Sequence, residues 1–344
     1  MRHRRRRTAI WSAAGGAALV GALLATLSPL ASAQSSTAQS SSAQSSAPAA
    51  ADRIPAVAAG SVTVPRQAAL AKVSTDALQR FWTPARLAAA TPVDAAGGAP
   101  AGKGAVSTRS PAATRAVAPA AVGRSYDNAR PSVGILVYAD KKLNTHYCTA
   151  SVVDSPGKSM ILTAAHCRPG SWAAFVPDYQ AGAKTQPYGI WDIRTVYTDS
   201  RYSATGSGTD YDYAFAKVAP DSRGRLLQNT TGGNVLTLTP SYVNWAGVTG
   251  YPSVSAATPA DKAITCWNWT SKLSGFTQMQ FLCTGYYSGT SGSPWLIHLN
   301  SRTNSGDVVG VVGGYQYGGP NSWISYSPVF TKNTFTLYDY ANSH

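Results

Sequence analysis

Three short segments of this sequence carry side chains that could do covalent chemistry together. Thr163-Ala164-Ala165-His166-Cys167 closes an apolar run and offers an imidazole. Asp210-Tyr211-Asp212-Tyr213-Ala214-Phe215-Ala216-Lys217-Val218 opens another and offers carboxylates. Gly289-Thr290-Ser291-Gly292-Ser293-Pro294 stands before a third and offers a hydroxyl between glycines. A serine hydroxyl is a weak nucleophile until a neighbouring base takes its proton. An imidazole can do so when a carboxylate on its other nitrogen holds the tautomer and stabilises the imidazolium. Glycines beside the hydroxyl let backbone N–H groups converge on one point, as a developing oxyanion requires. The residue types therefore point to acyl transfer, with His166 as base, an aspartate as its orienting acid and Ser291 as nucleophile. Two aspartates compete for the acid, because Asp210 and Asp212 lie two residues apart and share a face of any strand.

The elements that must position these groups are short. From Val133 onward apolar runs recur, among them Val133–Tyr138, Tyr147–Val153, Met160–Ala164, Ile190–Tyr197, Tyr213–Val218 and Val308–Val312. They are rich in Val, Ile, Tyr and Trp, and Gly, Pro, Asn, Asp and Ser punctuate them. That texture predicts an all-β sandwich or barrel. No long helical period and no repeat of fixed period is visible. Four cysteines, Cys148, Cys167, Cys266 and Cys283, all fall in this part. They allow three disulfide pairings, and proximity in sequence favours Cys148–Cys167 with Cys266–Cys283. There is no C-x-x-C and only His166 adjoins a cysteine, so no metal site is expected. His146 and His298 read as surface or structural residues, and Lys141-Lys142 as a hairpin tip.

The remainder is organised differently. Residues 2–7 are arginines and one histidine, followed by an Ala/Leu/Gly-rich stretch and Ala31-Ser32-Ala33. That is the order of a signal peptide over 1–33, cut after Ala33. It predicts a secreted, extracellular protein with no stable membrane association after signal removal. Residues 34–50 are Ser, Ala and Gln almost throughout, a composition that cannot bury enough surface to order itself. Around 66–90 the text changes: Leu70, Val73, Leu78 and Phe81 approach helical spacing, and Thr83-Pro84 reads as an N-cap with proline at the first helical position. Phe81-Trp82 could anchor this piece to a partner surface. An Ala/Gly/Pro linker follows to about 125. Residues 34–125 thus read as a largely disordered propeptide with a short helical segment, ahead of a folded domain over 126–344. The net charge of +14 comes mostly from the N-terminal third: residues 1–125 hold 14 Lys and Arg against three Asp, and residues 126–344 hold 15 against 12. The nearly balanced domain argues against a nucleic-acid partner.

The three segments, in the order His, Asp, Ser, resemble the motifs of the secreted trypsin-like serine proteases. Thr163–Cys167 is similar to that family's histidine motif, and Asp212 with Tyr213-Ala214-Phe215 to its aspartate motif. Gly289–Pro294 is similar to its Gly-Asp-Ser-Gly-Gly-Pro motif. The resemblance spans about residues 130–335. It implies two packed six-stranded antiparallel β-barrels of the chymotrypsin fold. It implies His166, Asp212 and Ser291 as catalytic residues, and the N–H groups of Gly289 and Ser291 as the oxyanion hole. It also implies a monomer acting on protein or peptide substrates without a cofactor.

The departures from the family pattern are informative. Thr290 replaces the aspartate that receives the new N-terminus in animal trypsins. Gly-Thr-Ser-Gly-Ser-Pro with Thr249-Gly250-Tyr251-Pro252 looks most like the bacterial glutamyl endopeptidase branch. Val312, however, stands where that branch carries its substrate-reading histidine. Gly285, beside Tyr286 and Tyr287, stands where a trypsin carries its pocket aspartate. Two other functions use the same residues: a catalytically silent binding module and an esterase.

Overall fold

A computed structural model of the protein describes Ile54 and residues 64–93, 121–126, 130–253 and 262–344. The expected signal peptide, the Ser/Ala/Gln stretch and most of the linker lie outside the described residues. Strand β1 (Arg66–Ala69) leads into helices α1 (Thr75–Phe81) and α2 (Pro84–Ala88) and the strand β2 (Thr91–Pro92). After β3 (Ala121–Val122) and β4 (Arg124–Tyr126) come β5 (Val133–Ala139), β6 (Thr145–Val153), β7 (Met160–Thr163), β8 (Ser171–Pro177), β9 (Trp191–Thr198) and β10 (Ala214–Val218). The second half runs α3 (Leu227–Thr231), β11 (Val235–Leu236), β12 (Trp245–Gly250), β13 (Ala263–Lys272), β14 (Gln278–Thr284), β15 (Pro294–Asn300), β16 (Ser305–Val311), β17 (Ile324–Pro328) and α4 (Lys332–Ser343).

Strands β5 to β10 pair in the order β9-β10-β7-β6-β5-β8, and β8 pairs back onto β9, which closes an antiparallel barrel of six strands. Strands β12 to β17 pair as β16-β15-β12-β13-β14-β17. The ends of this second sheet meet where the Val311 N–H donates to Ser327 Oγ and the Gly313 N–H to the Tyr326 carbonyl. The fold is that of a chymotrypsin-like pair of barrels. Its strands read as unbroken apolar runs because both of their faces are covered. In β10, Ala214, Ala216 and Val218 face the core of the first barrel, while Phe215 faces a second cluster with Leu296, Val308, Val311 and Phe330. Alternate residues thus serve two cores, as period 2 dictates.

Two parts of the structure differ from the sequence reading. The first is α4, a helix of 12 residues in a region with no visible helical period. Its residues are Thr, Tyr and Asn in large part, with weak helix propensity. What starts it is a capping box: the Thr331 hydroxyl accepts from the Asn333 N–H, and the Thr331 N–H donates to Thr334 Oγ1. What holds it is burial of Thr334, Leu337 and Ala341 along one stripe. The second is the segment expected to be helical near 66–90. Thr83 caps α2 with Pro84 at its first position, as the sequence suggests. Residues 66–69, however, form a strand paired with β9, and the Leu70 N–H donates to the Arg194 carbonyl. Phe81-Trp82 finds its surface on this chain's own first barrel. The Phe81 ring stacks on Trp172 at 4.3 Å, and Trp82 Nε1 donates to the Trp172 carbonyl. Leu78, Trp82 and Leu87 are buried against Val133, Ile135, Val137 and Val176. Then β2 runs parallel to β6 at His146 and Tyr147, and Val93 packs on Cys148 and Cys167. Residues 121–126, at the expected edge of the pro-region, pair with β14 and β13 of the second sheet.

Disulfides join Cys148 to Cys167 and Cys266 to Cys283, with sequence separations of 19 and 17. The first clips β6 to the turn that carries His166. Replacing Cys148 and Cys167 together by serine is expected to cost about 3 kcal/mol through loop-closure entropy. Urea unfolding of the full chain with and without the pair measures this, and an unchanged midpoint would contradict it.

Candidate active site

His166 lies in a short 3-10 turn, Ala165–Cys167, directly after β7. β7 is fully buried, and its pairing with β6 and β10 fixes where the turn points. Asp212 ends another 3-10 turn, Gly206–Tyr211, immediately before β10. Since β10 and β7 are neighbours with Ala214 opposite Thr163, the two side chains emerge at the same end of adjacent strands. Asp212 Oδ2 is 2.7 Å from His166 Nδ1, and Oδ1 accepts the His166 backbone N–H at 2.9 Å. Oδ2 also accepts the Gly314 N–H at 2.7 Å. Three donors therefore converge on one carboxylate that is 1% exposed. Asp210 points elsewhere, with its Oδ1 accepting from Gln278 Nε2 at 2.8 Å. Burial pushes the Asp210 carboxyl above its usual range, against the pull of that hydrogen bond.

Ser291 lies in the turn before β15, and it too is 1% exposed. Thr149, next to Cys148 on β6, holds this turn against the first barrel. The Thr149 N–H donates to the Ser291 carbonyl at 2.8 Å, and its hydroxyl donates to the Gly289 carbonyl at 2.9 Å. The Ser291 carbonyl oxygen is 4.0 Å from Cys167 Sγ, the residue after His166. Two glycines make this approach possible. Gly289 has φ +97°, and a Cβ there would strike the Tyr147 ring. Gly292 has φ +85°, and a Cβ there would strike the Thr149 carbonyl and Thr163 Oγ1. Both need glycine for conformation and for space. The Ser293 hydroxyl, in place of the family's second glycine, donates to the Thr290 carbonyl and so closes the turn.

The surroundings of the imidazole are aromatic. The Tyr317 ring meets His166 edge-on, with centroids 5.4 Å apart. Burial first, and the Asp212 charge second, raise the Tyr202 hydroxyl above the usual tyrosine range. Among the described residues His166, Cys148 and Cys167 bring ligand-type atoms within 4.8 Å of one another. Both sulfurs are locked in the disulfide, so the cluster offers an imidazole and no thiolate. Of the two tyrosines near the serine, Tyr286 is committed to the second barrel's core. Its ring packs on Phe281 and its hydroxyl donates to the Val248 carbonyl at 2.7 Å. Val312 is buried in the same core. Thr149, Gly314 and Tyr317 were not visible in the sequence as site residues. Only the position of Thr149 beside Cys148, the expected partner of Cys167, hinted at it.

The double barrel, with an imidazole–carboxylate pair at the end of one and a glycine-framed serine leading into the other, defines a trypsin-like serine protease. The trypsin family model matches residues 122–335, and the chain belongs to that family as a serine endopeptidase. Among solved structures it is similar to the protease Anisep from Arthrobacter nicotinovorans, with 25% identity and a TM-score of 0.55, covering 65% of this chain and 100% of that one. Also similar are a thermostable serine protease, AL20, from an extremophilic microorganism (21%, TM-score 0.49, 62% and 97% covered) and a Glu endopeptidase in complex with MPD (19%, 0.49, 65% and 98%). No curated protein matches the chain in sequence.

Proposed function

We propose that His166, Asp212 and Ser291 are the catalytic residues of a secreted endopeptidase. The observation that carries this reading is the bond from His166 Nδ1 to Asp212 Oδ2, formed beside the turn that holds Ser291. In the proposed reaction Ser291 Oγ attacks the scissile carbonyl while His166 Nε2 takes its proton. The Gly289 and Ser291 N–H groups hold the oxyanion of the tetrahedral intermediate. The C–N bond breaks, and the leaving amine takes the proton from His166. Water then attacks the acyl-enzyme, again giving its proton to His166, and the acid leaves as Ser291 regains its hydrogen. Asp212 keeps Nδ1 protonated throughout and stabilises the imidazolium. With Val312 buried, the imidazole that reads acidic residues in the glutamyl branch has no counterpart at that position.

In the same reading residues 1–33 direct secretion and residues 34–125 form a pro-region. Arg115 and Arg124 are the two linker arginines nearest the domain. The pairing of β3 and β4 with the second sheet supports a boundary nearer residue 120 than 125, which favours Arg115 over Arg124 as a cut site. Mass spectrometry of the secreted protein, before and after a serine-reactive phosphonate, tests both parts. The expected result is one adduct on Ser291, absent in His166→Ala, on a chain that begins downstream of Ala33. A folded, processed chain that takes no adduct would favour the silent binding module. Hydrolysis of esters without amides would favour the esterase.

A further inference from the structure

We propose that Gln278 is a positioning residue for this reaction: it pins the Gly314–Tyr315 backbone so that the Gly314 N–H stays on Asp212. The proposal rests on the reading of His166, Asp212 and Ser291 as the catalytic residues. Gln278 opens β14 in the second barrel and is 0% exposed. Its Nε2 donates to Thr209 Oγ1 at 2.9 Å and to Asp210 Oδ1 at 2.8 Å, and its Oε1 accepts the Tyr315 N–H at 2.9 Å. Thr209 and Asp210 belong to the turn that ends in Asp212, whose own N–H donates to the Thr209 carbonyl. Tyr315 directly follows Gly314, whose N–H donates to Asp212 Oδ2 at 2.7 Å. The contacts therefore close a ring from the aspartate through the glycine, the amide and the turn, and back to the aspartate. One side chain from the second barrel ties together the two backbone segments that hold the carboxylate.

The amide has one orientation in this ring. Turned over, it would set an NH2 against the Tyr315 N–H and an oxygen against the Asp210 carboxylate. A buried amide is costly unless its bonds are made, so an apolar residue at this interior position would be the cheaper choice for packing alone. The neighbouring backbone is also shaped to it. Gly314 has φ +93°, and a Cβ there would strike the Gln278 carboxamide. The segment then continues through Gln316 and Tyr317, both at positive φ, and lays the Tyr317 ring on His166. Release at Gln278 would thus loosen the carboxylate and the aromatic wall of the imidazole together. The Gln278 side chain bonds to Thr209, Asp210 and Tyr315, so its effect passes through the segments that hold Asp212 and Tyr317.

Gln278→Met, which keeps the length of the side chain and removes all three bonds, tests this in the full chain. Rates on a small peptide substrate are divided by the active sites titrated with the phosphonate. The expected result is a fall in kcat of roughly tenfold to a hundredfold, the size of effect that a misplaced catalytic group produces, with KM within about twofold. If Gln278→Met does not fold, Gln278→Glu carries the test. It keeps an oxygen for the Tyr315 N–H but faces Asp210 with a second carboxylate, so kcat is expected to fall again with KM little changed. A variant that loses thermal stability yet keeps the wild-type kcat per titrated site would overturn the proposal. Failure of the wild-type enzyme to take the phosphonate would instead overturn the underlying reading.

Discussion

Asp212→Asn is expected to lower kcat by about 10⁴-fold at neutral pH without altering the fold. The carboxylate receives three N–H groups, two on Oδ2 and one on Oδ1. An asparagine has one oxygen and one NH2 to offer these three donors. With its oxygen in the Oδ2 position, the NH2 faces the His166 backbone N–H, donor against donor. With the amide reversed, the NH2 faces His166 Nδ1 and the Gly314 N–H. The imidazole then satisfies it only by carrying its proton on Nε2, where it cannot accept from a serine. The first arrangement leaves two donors opposed, the second spoils the base, and neither provides a charge to stabilise imidazolium. Steady-state hydrolysis per folded molecule, with circular dichroism as the control, measures the effect. A kcat within tenfold of wild type would remove Asp212 from the mechanism. The companion Asp210→Asn is predicted to lose far less, since its Oδ1 faces an amide donor that an asparagine oxygen can also receive.

The second large effect is on stability. Trp82→Ala in the full chain should destabilise it by about 3–5 kcal/mol, the usual cost of emptying a buried aromatic site. For a domain of this size each kcal/mol moves Tm by about 2–4 °C, so a fall of roughly 10 °C is expected in a calorimetric scan. Trp82 is 1% exposed and its Nε1 is bonded to the Trp172 carbonyl. The variant loses packing against the first barrel and leaves that carbonyl short of a partner. Unchanged stability would show that residues 64–93 contribute nothing to the barrel they cover. The expected fall would make this segment part of the folded protein for as long as it is attached. It would also give a physical basis for a folding role in a non-local β-topology, where long-range pairing is slow.

Much of this protein was legible in its sequence because the relevant signals are local. Short apolar runs with turn residues between them state a β-rich fold before any pairing is known. His166 and Ser291 announce themselves by their immediate neighbours, and the Thr83-Pro84 cap of α2 needs only adjacent residues. Sequence proximity also anticipated the cysteine pairs seen in the structure. Other features depend on which distant surfaces meet. Asp210 and Asp212 have the same chemistry and share a strand face, yet one receives an imidazole and the other a glutamine amide. Nothing near Tyr286 in sequence says that its hydroxyl will find the Val248 carbonyl inside a barrel. Thr149 and Gln278 are ordinary polar residues in apolar strands until the fold brings glycine turns from the other half of the chain against them. The helix α4 is weak in propensity and exists because one stripe of it is buried. Local patterns determined the chemistry available and the period of the elements. Burial and hydrogen-bond satisfaction between segments far apart in sequence decided which groups were joined, because only the closed barrels bring those partners within bonding distance.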